Sequence, residues 1–172
     1  MNVVGLDLSL TATGIALADG SFDTIKPTTK GMARLAAIEA IVMDYTAGCD
    51  LAVIEGYSMG SRNSQSHALG ELGGVVRLAL HRQDTPYVDV PPTRLKKWAT
   101  GKGNADKDAV LVKAVKRFDP SPENNNEADA AWLRDIGMAW TEGRTLNASQ
   151  AEIVKAIEWP TLTARRPWAA AT

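Results

Sequence analysis

The chain has 172 residues, 45% hydrophobic and 23% charged, a length and composition that suit one soluble globular domain with a sizeable core. No apolar run approaches the length of a membrane span, and no secretory signal is expected, because Met1 to Asp7 lacks a basic start and carries an acid. The single cysteine, Cys49, excludes an internal disulfide and a thiolate zinc cage, so a cytoplasmic protein using oxygen-ligated metal is the default expectation. The net charge of −1 argues mildly against a polyanionic partner, but it conceals an asymmetry. Between Arg94 and Arg117 stand Arg94, Lys96, Lys97, Lys102, Lys107, Lys113, Lys116 and Arg117 against Asp106 and Asp108, a block of +6 on a body of −7. Such a block is either a polyanion-binding stripe or a solvated helix face.

In chain order, residues 2–9 read as an apolar strand, 13–18 as its hairpin partner and 22–25 as a third strand. Leu35, Ile38, Val42 and Tyr45 recur at helical spacing over 32–45, and Gly48 ends that helix. A buried strand over 51–54 runs into Glu55, and 64–81 is a helix dense in Gly and Ala. Residues 87–90 form a strand stopped by Pro91-Pro92, and 107–118 and 127–140 are helices. The pattern Ser149-Gln-Ala-Glu152 predicts a capping box for a short last helix ended by Pro160. Three strands followed by alternating helices and strands predict an α/β fold, a mixed sheet flanked by helices.

Three carboxylates occupy positions that apolar packing would otherwise claim. Asp7 lies in the first strand on the face of Val3, Gly5 and Ser9. Glu55 closes the run Leu51-Ala-Val-Ile54, and Asp129 lies on the helical stripe of Trp132, Leu133, Ile136 and Trp140. Any one of them could cap a turn or end a strand. Three together point to metal, since a buried carboxylate is tolerated only when paired or coordinating. With no Cys or His cluster, the ligand type points to Mg²⁺ or Mn²⁺. His67 and His81 read as structural, and neither a P-loop nor a Gly-x-Ser-x-Gly elbow is present.

Four blocks in series resemble the RuvC-type Holliday-junction resolvases of the RNase H-like superfamily. They are Gly5-Leu-Asp7-Leu-Ser-Leu-Thr-Ala-Thr-Gly14; Ile54-Glu55-Gly-Tyr-Ser-Met59 with Leu69-Gly70 and Gly74-Val75; Pro91-Pro-Thr-Arg-Leu-Lys96-Lys97 with Gly101-Lys-Gly103-Asn-Ala105-Asp-Lys107; and Glu127-Ala-Asp129. The resemblance covers residues 2–140, a nuclease domain over 1–140, and leaves 141–172 as an unmatched extension with a short helix. It implies a five-stranded RNase H-like fold and a structure-selective endonuclease acting on four-way junction DNA. It also implies two Mg²⁺ ions per site, replaceable by Mn²⁺, held by Asp7, Glu55 and Asp129. Lys107 would stand at the scissile phosphate, and Arg62, Arg94, Lys96, Lys97 and Lys102 would hold backbone phosphates. The products would carry a 5′-phosphate and a 3′-hydroxyl. A short chain of this kind suits a bacteriophage member acting in the host cytoplasm.

The chain departs from the family pattern twice. Asn126 stands where the family carries Asp or His, and it fits either a neutral metal ligand or the helix N-cap. Glu127, one step round the helix, should face away from the stripe of Asp129. Ser58 stands where the family places an aromatic; Tyr57 beside it could stack on a base or join the core. A homodimer is expected, with 64–81 in the interface through Ala68, Gly70, Gly73 and Gly74 and the apolar Leu69, Leu72, Val76 and Leu80. Two other classes compete. A non-catalytic branched-DNA binder is favoured by Asn126 and opposed by the retained acids and Lys107. An actin-like ATPase is suggested by the first block alone and leaves the basic block unexplained.

Overall fold

The structure, a computed structural model, describes residues 1–57 and 64–162. The elements are β1 (Val3–Asp7), β2 (Thr13–Ala16), β3 (Phe22–Ile25), α1 (Gly31–Thr46), β4 (Leu51–Glu55), α2 (Ser64–Arg82), β5 (Tyr87–Val90), α3 (Pro92–Thr100), α4 (Lys107–Arg117), α5 (Asn125–Thr141) and α6 (Ala148–Lys155). One sheet of five strands runs β3-β2-β1-β4-β5. The hairpin pairs are antiparallel, whereas β1–β4 and β4–β5 are parallel, so the mixed sheet flanked by helices is as expected. Among the described residues no helix is long and apolar enough to cross a membrane.

Strands β1 and β4 are buried along their length apart from Glu55, which explains their unbroken apolar runs: both faces are covered. Alternation sends Val3, Leu51 and Val53 to one side, where they meet Trp98, Val110, Trp132, Leu133 and Ile136. It sends Val4, Leu6, Ala52 and Ile54 to the other, against Leu35, Ile38, Val42, Leu72, Val76 and Leu80. Helices α3, α4 and α5 thus cover one face, and α1 and α2 the other.

Helix α5 lies on the sheet at main-chain distance. A Cβ on Gly5 would come within 2.0 Å of the Ala130 carbonyl oxygen, and one on Gly14 within 2.1 Å of the Asn126 carbonyl oxygen. Only glycine permits that approach. It brings the first turns of α5 down onto the β1–β2 hairpin, level with Asp7.

Two helix starts fall earlier than the sequence suggested. The cap of α5 is Asn124, whose Oδ1 accepts from the amides of Asn126 and Glu127, both at 3.0 Å. Asn126 is therefore not the N-cap but sits within the first turn. The capping box of α6 is Asn147 with Gln150, not Ser149 with Glu152. In both cases the first turn precedes the first apolar residue of the stripe, so periodicity places the start too late. Beyond α5, helix α6 and the turn after it pack on α3. Ile153 and Ile157 join the core, and Trp159 stacks on Trp140 at 4.3 Å between ring centroids.

Helix α2 also differs from expectation. Leu72, Val76 and Leu80 are fully buried under the sheet and are not free for an interface. The outward stripe is His67, Glu71, Gly74 and Leu78, and a Cβ on Gly70 or Gly74 would meet nothing within 4 Å.

Candidate active site

Asp7 ends β1 and Glu55 ends the neighbouring parallel strand β4, one residue beyond the pair Leu6↔Ile54. Their carboxyls therefore emerge side by side at the same end of the sheet. Asp129, in the second turn of α5, reaches the same place because α5 is seated on Gly5 and Gly14. Asp7 and Asp129 are buried and Glu55 is half-buried.

The electrostatics are those of crowded, underpaired acids. Burial raises the Asp7 carboxyl well above its ordinary range, and the charges of Glu55 and Asp129 raise it further. The Glu55 carboxyl lies within hydrogen-bond reach of it, a contact that raises Asp7 and lowers Glu55. Burial still leaves Glu55 above its ordinary value despite that bond and despite Lys107 and Lys96. Asp129 is pushed up to about 6, first by burial and then by Glu55, with Lys107 and Lys96 opposing.

None of the three forms a salt bridge among the described residues. Nor do three such side chains there close into a ready-made cage around one point. They form an open, all-oxygen, excess-negative cluster. That donor set suits hard divalent cations, which neutralise the charge that burial penalises.

The basic block divides. Lys107 is the first residue of α4, behind the cap Asp106, whose Oδ1 accepts from the Ala109 amide at 2.7 Å. A cation at a helix N-terminus opposes the macrodipole, so the acids rather than the helix account for its position. Lys96 on α3 acts on the same acids. Its neighbours turn elsewhere: Lys97 pairs with Glu152 of α6 at 3.1 Å, and Arg94 donates to the Ala156 carbonyl at 2.9 Å. Lys102 is exposed in the loop after Gly101, which ends α3 at φ 83°.

Asn126 lies beside the cluster, its main chain covering Gly14, the residue paired with Asp7. Glu127 faces away, as its spacing suggested, and accepts from Thr24 Oγ1 at 2.7 Å and Asn124 Nδ2 at 2.8 Å. Tyr57, two residues beyond Glu55, is 45% exposed. Both histidines are exposed. Arg62 and Ser58 fall outside the described residues.

Sequence reasoning missed the placement of Lys96 beside the acids, which the adjacent Lys97 obscured. It also passed over Arg77, a lone cation in the run Val75-Val76-Arg77-Leu78 that donates to Asp89 and to the Tyr57 hydroxyl. Asp135 was overlooked too. It is buried on α5 and accepts from Trp98 Nε1 at 2.9 Å and Arg144 Nη1 at 2.7 Å.

The family model described as crossover junction endodeoxyribonuclease RuvC matches residues 3–134. The RuvC of Synechococcus sp. strain WH7803 is 35% identical over 83 residues, 47% of this chain, which spans only about half (53%) of that relative's length. The RuvC of Paenarthrobacter aurescens is 28% identical over 165 residues, covering 87% of this chain and 86% of the relative. Among solved structures, Thermus thermophilus RuvC in complex with a Holliday junction substrate superposes with a TM-score of 0.68 at 20% identity, over 83% of this chain and 96% of that one. That likeness establishes the RNase H-like fold, and the family match over 3–134 establishes kinship: the chain belongs to the RuvC family of crossover junction endodeoxyribonucleases.

Proposed function

We infer that the protein is a structure-selective endonuclease that resolves four-way DNA junctions by divalent-metal-dependent phosphodiester hydrolysis, leaving a 5′-phosphate and a 3′-hydroxyl. The observation that carries the reading is the gathering of Asp7, Glu55 and Asp129 at one end of the sheet, held above their ordinary protonation range and opposed by Lys107 and Lys96. Asp7, Glu55 and Asp129 would hold two Mg²⁺ ions, or Mn²⁺ in their place, with the Asn126 side-chain carbonyl as a neutral fourth donor. When bound, such a pair supplies an activated water and offsets charge on the leaving oxygen. Lys107 neutralises charge developing on the scissile phosphate, and Lys96 supports it from α3. Lys102 and Arg62 hold backbone phosphates, and Tyr57 meets a base. Arg94 and Lys97 add only what their contacts with the segment 148–162 leave free.

A two-fold junction needs two cuts, and a homodimer supplies two sites. The outward stripe of α2, with Gly70, Gly74 and the 48%-exposed Leu78, is the surface available for it. Incubation with a labelled four-way junction and its matched duplex in Mg²⁺ or Mn²⁺, with products mapped and nicks sealed by ligase, tests the reading. Paired, sealable nicks confined to the junction are expected. Junction binding without nicking would leave a non-catalytic binder instead, and equal cutting of the duplex would remove the structure selectivity.

The role of Asn126 is read from a metal titration of nicking. With one charge added to the donor set, Asn126→Asp should lower the Mg²⁺ concentration for half-maximal nicking, and Asn126→Ala should raise it. Unchanged half-points in both variants would remove Asn126 from the ligand set.

A further inference from the structure

Among the described residues, Arg77 is a feature near the site that neither the acids nor the basic block accounts for. Its side chain is 15% exposed. Its guanidinium is bidentate on Asp89 of β5, with Nη2 at 2.5 Å and Nε at 3.2 Å. Nη1 donates to the Tyr57 hydroxyl at 2.9 Å, and the guanidinium carbon lies 4.8 Å from the Tyr57 ring centroid. The hydroxyl in turn donates to the Gly70 carbonyl at 3.3 Å. Gly73 leaves the notch into which it fits, since a Cβ there would stand 1.9 Å from that oxygen. A small cavity whose lining includes Leu8, Glu55, Tyr57, Gly73 and Arg77 places this cluster next to Glu55.

Two simpler roles fit less well. A phosphate ligand needs an open guanidinium, whereas this one is enclosed and neutralised by Asp89. A plain tie between α2 and β5 needs only the Asp89 pair, and explains neither the ring cover nor the notch at Gly73. Tyr57 itself remains 45% exposed. The Tyr57 hydroxyl already donates and accepts, so Tyr57 offers an exposed π-surface two residues from Glu55. A surface of that kind takes a base by stacking, without hydrogen-bond readout.

We propose that Arg77 is a positioning residue that, with Asp89 and the notch at Gly73, fixes Tyr57 as a platform for one unpaired base at the branch point. This rests on the reading of the protein as a branched-DNA nuclease. The clamp acts on where the ring points rather than on the charge the DNA meets, so losing it changes base stacking more than it changes the salt dependence of binding.

The test uses four-way junctions carrying 2-aminopurine at each branch-point position in turn, bound in EDTA so that no cleavage occurs. Wild-type protein is expected to change the emission at one position, and Tyr57→Ala to abolish the change and weaken binding about tenfold. Arg77→Gln should remove at least half of the change and weaken binding about threefold, with an unaltered salt slope. Gly73→Ala, which favours the helix but displaces the hydroxyl, should do the same without touching a charge; it decides the matter if Arg77→Gln melts too low to use. In a Tyr57→Ala background neither substitution should have a further effect. The inference is overturned if Arg77→Gln or Gly73→Ala keeps the full emission change, or if wild type alters emission at no position. Junction nicking is scored separately: its absence with the emission change intact removes the nuclease reading and leaves the platform standing.

Discussion

Asp129 and Asp135 lie six residues apart on α5 and are equally buried, at 7% exposure each. Their surroundings are opposite. Asp135 accepts from the Trp98 indole and the Arg144 guanidinium, with Arg117 3.7 Å away. Asp129 has the like charge of Glu55 near it and, among the described residues, Lys107 and Lys96 opposing, and is pushed up to about 6. Burial by itself therefore does not mark a working carboxylate. A buried acid whose oxygens are taken holds the fold together; one whose oxygens are left open, at a cost in stability, is available to a ligand.

Substituting the two residues in parallel gives the largest expected separation. Asp129→Asn, like Asp7→Asn, should lower junction nicking by more than about 100-fold while leaving junction binding within about threefold. Asp135→Ala should instead leave most of the nicking rate and cost about 2 kcal/mol, because Trp98 Nε1 and Arg144 lose their acceptor. Calorimetry should show that loss as a fall of roughly 4–8 °C in Tm. An Asp135→Ala protein that melts like wild type but no longer nicks would reverse the contrast.

The cations serving the two acids sharpen it. Lys107→Ala removes the charge facing the open cluster and should slow nicking by about tenfold to 100-fold at saturating metal. Arg144→Ala removes the charge bound to Asp135 and should lower Tm with little effect on rate. Measuring rate and Tm on both variants separates the roles; equal rate losses would show that the two clusters work as one.

The sign of the pH dependence follows from the protonation of Asp129. Its carboxyl titrates higher in the fold, about 6 against an ordinary 3.8, so the folded state binds more protons between those values. Metal-free stability from this group is therefore full below about pH 4 and is lost as the pH rises through about 6. In EDTA, Asp129→Asn should melt close to wild type near pH 4 and above it at pH 7.5. Mg²⁺ should then stabilise wild type more than the variant. A variant that melts below wild type at pH 7.5 in EDTA would remove the strain assigned to the cluster.

The smallest effect is expected on the far side of α3. This helix serves both acids, Trp98 holding Asp135 and Lys96 facing Asp129, while Lys97 is engaged by Glu152. Lys97→Ala should weaken junction binding by less than about twofold and Lys96→Ala by several-fold, with its salt slope lowered by about one. Equal slopes for the two variants would place both lysines on the DNA.

Much of this was legible in the chain because the informative residues break a pattern. Asp7, Glu55 and Asp129 interrupt apolar runs, and the strands and long helices follow from periodicities of 2 and 3.6. What stayed hidden depends on contacts that spacing does not encode. Asp135 is distinguished from Asp129 only by Trp98, Arg117 and Arg144, drawn from α3, the end of α4 and the turn after α5. Lys96 and Lys97 are adjacent in sequence but about 100° apart on a helix, and only the docking of the segment 148–162 decides which is free. Within Asn124-Asn125-Asn126, any residue could cap; the seating of α5 on Gly14 selects Asn124.

The three acids also enter the world in a fixed order, at residues 7, 55 and 129 of a chain made from its N-terminus. By residue 90 all five strands exist, and two of the carboxylates stand ready at the end of the sheet. The third is delivered only when α5 has emerged and settled over Gly5 and Gly14, a closure joining positions more than a hundred residues apart. Long-range closures of that kind are the slow steps of folding. On the nuclease reading, a chain that has not yet seated α5 lacks one of its three acids and cannot cut DNA, so catalytic competence arrives together with the closure of α5 on the sheet.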